Sequence, residues 1–323
     1  MRHRFCALIA LALLASALPA AAQDYPTRPI RVIASQGAGG LSDVWMRAVA
    51  DELGPALGGS VVIEDRAGAA GNIGARACAD AAPDGYTFCI LPGETITINP
   101  HIYKDTGLDP QKSLVPVTKA FILTQVFAVN ASVGAKSFEE LASYTKAHPK
   151  TMTYMAPSIS KVAFMEDFNR KHGIDFVRVP FKGGGDAVNS MLSNTTPVAI
   201  FGIGNLIQFI RAGKILGFAV DSTSRSPLAP DIPTFREIGY TSHVIPSSFG
   251  VYAPAGTPRP IIDRINKAIV KVASNPEFQK RHMELRGLAP VLNSPEAFAK
   301  ELDVDRAEGL SAIKASGLYP DVK

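Results

Sequence analysis

Apolar residues along the first hundred positions follow a repeating order of strand, small-residue loop and helix. An apolar run at 30–34 ends in glycines at 37–40, and apolar residues then return at helical spacing as far as Leu53. The order restarts at 61–63, with a second small-residue loop at 67–71 and a further strand at 86–91. Alternation of this kind predicts an α/β fold in which helices cover both faces of a parallel sheet.

Two extended apolar stretches, Val117–Val129 and Val244–Tyr252, enclose a second set of strands and helices. After the second stretch, helical spacing continues to the end of the chain. This arrangement predicts a clamshell with a discontinuous first domain, 23–122 and 247–323, and an inserted second domain, 123–246. The two extended stretches would be the hinge crossings between them.

The first 22 residues have the pattern of a cleavable export signal. Basic residues at 2–4 precede an apolar run from Phe5 to Leu18, and small residues at 20–22 fit a cleavage site near Ala22. The run is shorter than the ~20 residues that span a membrane. We therefore expect export and removal of this segment.

Composition excludes several classes of protein. With 46% hydrophobic residues, 27 Gly and 24 Pro, the chain is not of the disordered class, and it is long enough for two cores. Its formal net charge is only +4, and the basic residues are dispersed, so nucleic acid is not expected as a partner.

Cys78 and Cys89 are the two cysteines that remain after the signal. In an oxidising compartment they would form a helix-to-strand disulfide or stay as two separate buried thiols, and the sequence leaves both open. Their number and spacing do not make a zinc site.

The first small-residue loop joins a strand to a helix start and predicts an anion site. Free backbone amides and the positive end of the helix dipole would lie there, and small side chains let a ligand approach. The ligand contacts expected in this loop are Gln36, Ala38, Gly39, Ser42 and Asp43. The alternative is a tight turn with Ser42 or Asp43 as helix cap. The spacing does not match a dinucleotide fingerprint or a nucleotide-phosphate loop.

The second loop repeats this arrangement, with Ala70, Gly71 and Asn72 at its helix start. In an open parallel sheet, ligands collect beyond the carboxyl ends of the strands. Two loops of this kind at one sheet edge predict a site for a ligand carboxylate.

Sequence motifs in order along the chain resemble one known family. They include Gly39–Asp43, Glu64–Gly74, Ala82–Thr87, Val179–Gly183, Ala212–Lys214 and Ala253–Pro258. The chain resembles the Bug family, the periplasmic solute-binding proteins of tripartite tricarboxylate transporters. The resemblance implies a periplasmic protein that closes over a small carboxylate and delivers it to the membrane permease subunits.

The resemblance also assigns residues to the ligand site. In the first domain it agrees with the two helix starts, and we expect Gly93 to contact ligand as well. In the second domain, the resemblance assigns ligand contacts to Ser158, Ser160, Lys161, Lys182 and Gly183. Lys161 would supply positive charge, unless it is only a solvated helix end.

Two departures from the family bear on the ligand. An Asp that commonly lines the cleft is replaced here by Phe201, and the usual His of the second-domain loop falls on Phe164. A phenyl ring offers area and no acceptor, which favours a mono- or dicarboxylate with an apolar or aromatic body over a hydroxylated acid or an amino acid. Alternatively, both rings are core residues that point away from the cleft.

Enzymatic chemistry has little support in the sequence. No His pair at i, i+4 and no GxSxG serine occurs, and no metal cluster or cofactor motif is present. We expect a monomeric binding protein without a cofactor. The alternatives are a ligand sensor that feeds a signalling partner and a secreted α/β enzyme.

Substitution of Phe201 by Asp tests the aromatic hypothesis. The variant should bind its best aromatic carboxylate about tenfold more weakly, because ring contact is lost and like charge is gained. Titration calorimetry measures the two affinities. Unchanged affinity would remove the argument for an apolar ligand body.

Overall fold

The computed structural model describes residues 25–103, 107–181, 184–240, 246–317 and 319. The expected signal segment 1–22 lies outside these residues, as do Lys182 and Gly183. Within the described part, no helix has the length and apolar character to cross a membrane.

The described strands belong to two separate sheets. In chain order they are β1 (Ile30–Ala34), β2 (Val61–Asp65), β3 (Thr87–Pro92), β4 (Leu114–Leu123), β5 (Gln125–Asn130), β6 (Thr153–Met155), β7 (Val177–Arg178), β8 (Val198–Gly202), β9 (Ile215–Val220), β10 (Ser247–Pro254) and β11 (Leu288–Pro290).

Helices cover the faces of both sheets. They are α1 (Leu41–Leu57), α2 (Asn72–Ala79), α3 (Gly93–Thr97), α4 (Asn99–Ile102), α5 (Pro110–Ser113), α6 (Phe138–Ala147), α7 (Ile159–His172), α8 (Gly184–Leu192), α9 (Ile203–Arg211), α10 (Arg259–Ala273), α11 (Pro276–His282) and α12 (Pro295–Ser316). Short 3₁₀ turns lie at Ala69–Gly71, Ala131–Val133 and Glu284–Arg286.

The fold is an α/β fold of two domains, each built on one sheet. The six-stranded sheet has the order β11-β4-β10-β3-β1-β2 and the five-stranded sheet β7-β6-β8-β5-β9. We call the surrounding parts domain 1 and domain 2. The pairs β1–β2 and β1–β3 are parallel, as the early pattern predicts, but β10 is antiparallel to both β3 and β4. The first sheet is therefore mixed, because it contains both an outgoing and a returning crossing strand.

The long apolar stretch at 117–129 forms two strands in different sheets. β4 ends at Leu123 in domain 1 and β5 begins at Gln125 in domain 2, with Thr124 between them. The Thr124 amide donates to the Gly287 carbonyl at 2.9 Å, which fixes the point where the chain changes sheets. The exact domain limits given above remain predictions.

Each sheet carries apolar clusters on its two faces. In domain 1, Trp45 of α1 packs edge-on against Phe121 of β4, and both are fully buried. Domain 2 has an aromatic core that includes Phe127, Phe138 and Phe168. Apolar periodicity on the helices and strands supplies these faces, and their burial is the main favourable term in folding.

A smaller apolar cluster joins the two domains. It contains Ile98 from domain 1, Ile159 and Ala163 from α7, and Ile313 from the C-terminal helix α12. All four side chains are at most 8% exposed. Helix α12 therefore packs on both domains.

A disulfide joins Cys78 of α2 to Cys89 of β3. It ties the helix that follows the second small-residue loop to the centre of the first sheet. The structure therefore shows the disulfide, and not the two separate thiols that the sequence also left open.

A buried ion pair in domain 2 holds the start of the hinge strand. Lys161 Nζ lies 2.8 Å from Asp221 Oδ2, and Asp221 Oδ1 accepts from the Gln125 amide at 2.7 Å. Lys161 and Asp221 are each 2% exposed. Burial raises the pKa of the Asp221 carboxyl, and the Lys161 ammonium beside it opposes that rise.

The ion pair excludes one of the two expectations for Lys161, the solvated helix end, because the side chain is buried. Its charge is matched by Asp221, and its action on a ligand stays a prediction. The sequence could not show the pairing, because the two residues lie 60 positions apart and meet only in the folded chain.

Substitution of Lys161 by Met should lower the free energy of unfolding by about 3–5 kcal/mol, because it leaves the Asp221 carboxylate buried without its cation. Urea denaturation measures the change. The double variant Lys161→Met with Asp221→Asn should recover most of it, since the Asn oxygen still accepts from the Gln125 amide. A single variant with wild-type stability and lost ligand affinity would contradict this structural role.

Candidate functional site

A cavity of about 1080 Å³ lies between the two domains. Its wall includes the carboxyl ends of β1 and β3 with the two small-residue loops, the start of β5, and second-domain residues near the start of α7 and the end of β8. A concave site at a domain interface is where ligand pockets concentrate. The cavity is therefore the candidate ligand site.

The structure places just over half of the sequence-predicted residues in this wall. They are Gln36, Ala38, Gly39, Ala70, Gly71, Gly93, Ser158 and Phe201. Four others are near the cavity but do not form its wall: Ser42, Asp43, Asn72 and Ser160. Lys161 belongs to the buried ion pair, and Lys182 and Gly183 are outside the described residues.

The first loop uses two of its own side chains to close the start of α1. Gln36 Oε1 accepts from the Ser42 amide at 2.9 Å, and Asp43 Oδ2 accepts from the Gly39 amide at 2.8 Å. Asp43 also pairs with Arg47 one turn later. Ser42 and Asp43 are buried behind the wall, and their contact with a ligand stays a prediction.

The second loop is a left-handed turn. Gly68, Ala69, Ala70 and Gly71 all have positive φ, with Ala69 at 46° and Ala70 at 53°. This conformation costs an alanine roughly 1–2 kcal/mol. Thr95 Oγ1 and Asn99 Nδ2 offset the cost by donating to the Ala70 carbonyl at 2.9 and 3.0 Å.

The side chain of Asn72 takes part in the same support. Its Oδ1 accepts from Asn99 Nδ2 at 2.9 Å, so it braces the turn instead of lining the cavity. A ligand contact of Asn72 stays a prediction. Non-glycine residues held in the left-handed region are frequent at binding sites, which fits a loop kept in one shape for a ligand.

Across the cleft, the start of α7 is occupied by a side chain from domain 1. Ser160 Oγ donates to Glu94 Oε1, and the Ser160 amide lies 3.4 Å from Glu94 Oε2. Ser158 Oγ lies 3.2 Å from Ser160 Oγ. In this structure Glu94 accepts from the Ser160 donors that were predicted for a ligand, and the ligand contact of Ser160 stays a prediction.

Phe201 and Phe164 have different positions. Phe201 lines the cavity at the end of β8 and makes an edge contact with Phe181, another wall residue, with ring centroids 5.7 Å apart. Phe164 instead packs against Phe235 at 4.7 Å within the core of domain 2. For Phe164 the structure shows the core alternative, and Phe181 and Phe201 form an apolar part of the cavity wall.

Two wall residues that the sequence argument missed carry buried polar atoms. Ser35 Oγ and Gln125 Oε1 have no hydrogen-bond partner among the described residues, and the two side chains are each 3% exposed. Leaving such atoms unpaired costs free energy, so a ligand that pairs them gains affinity. Ser35 directly follows β1, and its place at the carboxyl end of a parallel strand was the available signal.

Charged side chains also reach the wall from both domains. The described wall contains the carboxylates of Glu94, Asp186 and Asp305 and the guanidinium groups of Arg281 and Arg286. Asp305 is paired with Lys119 at 3.0 Å. Among the described residues, no group of three His, Cys, Asp or Glu side chains is placed to hold a metal ion.

Comparison with known proteins agrees with this architecture. Residues 45–316 match the model of the tripartite tricarboxylate transporter family receptor. A UPF0065 protein of Bordetella bronchiseptica is 33% identical over 315 residues, covering 97% of this chain and 93% of that protein. Protein BugT of Bordetella pertussis is 30% identical, covering 87% and 86%.

Solved structures with bound dicarboxylates have the same fold. A Rhodopseudomonas palustris protein with adipate has a TM-score of 0.83 at 26% identity, over 91% of this chain and 98% of that one. MatC of the same organism, with bound malate, has a TM-score of 0.79 at 26% identity, over 90% and 100%. The chain therefore belongs to the tripartite tricarboxylate transporter receptor family, as a solute-binding protein of the Bug type.

Proposed function

We propose that this protein is a periplasmic receptor that captures a small carboxylate and delivers it to the membrane permease subunits of a tripartite tricarboxylate transporter. The observation that carries the proposal is the interdomain cavity, with two small-residue helix starts on its domain 1 wall. Family membership and the adipate and malate bound by structural neighbours support carboxylate as the ligand class.

The ligand carboxylate binds on the domain 1 side of the cavity. Helix α1, with 17 residues, directs the positive end of its dipole there, equivalent to about half an elementary charge. Ser35 Oγ adds a hydroxyl donor within the same wall. Small residues in both loops let the carboxylate approach the backbone.

The body of the ligand packs on Phe181 and Phe201. Their two rings give this part of the wall apolar area, and Gln125 at the hinge provides a polar group for orientation. A carboxylate with an apolar or aromatic body fits the two rings, and a donor group on the ligand would pair Gln125 Oε1.

Binding is coupled to closure about the crossing strands. Only a ligand with greater affinity for the closed form shifts the equilibrium toward it, so contacts made by both domains set the selectivity. In this proposal the protein is exported, with cleavage near Ala22, and is a monomer. It acts without a cofactor and catalyses no reaction.

Binding of acids and their methyl esters by refolded, ligand-free protein tests this function. We expect thermal stabilisation and measurable affinity for a carboxylate, and at least about tenfold weaker binding of its ester, because charge-assisted hydrogen bonds are lost. The ligand should be recovered unchanged. Equal affinity for acid and ester would contradict carboxylate recognition.

Ser35→Ala provides the residue-level arm of the same test. Loss of the hydroxyl should weaken binding of the best carboxylate by roughly fivefold to tenfold, the effect of one net hydrogen bond. Ser274→Ala, an exposed serine after α10, is the matched control and should bind as the wild type does.

A further inference from the structure

Glu94 is a cavity carboxylate that domain 1 places against the helix start of domain 2. It lies in α3, immediately after β3, and its two oxygens face the Ser160 hydroxyl and amide at the start of α7. Ser160 is 1% exposed, so these donors are withdrawn from water.

The donors that Glu94 uses are the kind that hold carboxylates at helix starts. An amide and a hydroxyl lie at the positive end of α7, a helix of 14 residues. Here the chain's own carboxylate meets them, so a ligand carboxylate reaches this position only by displacing Glu94. The displaced Glu94 carboxylate would then stay beside the same cavity and repel the ligand carboxylate.

The unpaired polar atoms of the wall lie elsewhere. Ser35 Oγ is on the domain 1 wall and Gln125 Oε1 is at the hinge, and neither has a hydrogen-bond partner among the described residues. The domain 2 wall contributes Phe181 and Phe201 as apolar surface. Ser35 Oγ can donate to one ligand carboxylate, Gln125 Oε1 is an acceptor that needs a donor, and the chain's own carboxylate lies where a second ligand carboxylate would bind.

We infer that Glu94 is a specificity-determining residue, which acts as a built-in second carboxylate and restricts the ligand to monocarboxylates with an apolar body. The inference rests on the proposed function and names its substrate class. It separates this chain from receptors that take dicarboxylates, although the fold is shared.

Hexanoate and adipate are the matched probes, since both have six carbons and differ by one carboxyl group. Calorimetry at pH 7.5 on refolded wild-type protein should give hexanoate at least about tenfold tighter binding than adipate. Glu94→Ser should shift the affinity ratio at least about tenfold toward adipate, because it frees the Ser160 donors and removes the repelling charge. Glu277→Ser, which removes an exposed carboxylate outside the cavity wall, should keep the wild-type ratio.

The outcomes separate this inference from the function on which it rests. Tighter binding of adipate than of hexanoate by the wild type, or an unchanged ratio in Glu94→Ser, would overturn the inference and leave carboxylate capture intact. Equal binding of hexanoate and methyl hexanoate would overturn both. If Glu94→Ser does not fold, Glu94→Gln replaces it, because this variant keeps the side-chain size and removes the charge. The ratio of hexanoate to adipate affinity in the wild-type protein tests the inference without any variant.

Discussion

The crossing strands β4 and β10 determine most of the architecture. They lie side by side and antiparallel in the first sheet, so the chain leaves domain 1 and returns to it on neighbouring strands. Two adjacent connections allow a hinge but restrict the directions in which the domains separate. The cavity beside them therefore has a fixed rear edge at Gln125, where Asp221 accepts the strand's first amide.

Buried polar groups near the cavity are mostly paired with one another. Gln36 and Asp43 complete the start of α1, Asn99 holds the second loop, and Glu94 meets the start of α7. Each hydrogen bond pairs a donor or acceptor that would cost free energy if it were buried without a partner. Among the described residues, Ser35 Oγ, Ser42 Oγ and Gln125 Oε1 have no hydrogen-bond partner, and Ser35 and Gln125 line the cavity, where a ligand can pair them.

Local patterns in the sequence predicted the elements better than they predicted the wall. The strand and helix order, the two crossings and the small-residue loops follow from apolar periodicity and glycine placement. The pairing of Glu94 with Ser160, 66 positions away, depends on how two domains meet and has no local signature. The sequence left Phe164 open between cleft and core because residues 159–165 of α7 are buried around the whole helix, so the apolar pattern does not mark which face meets the cleft.

The apolar cluster under the C-terminal helix bears on how cargo is released. Separation of α7 from Ile98 and Ile313 would expose side chains that are now almost completely buried, at a cost of about 25 cal/mol for each Å² of apolar surface. This apolar contact therefore favours the arrangement in which α7 packs on α12, whether or not the cavity is occupied. Release of a bound solute by parting the domains at this contact carries the cost of uncovering these side chains, in addition to the loss of the solute's own contacts.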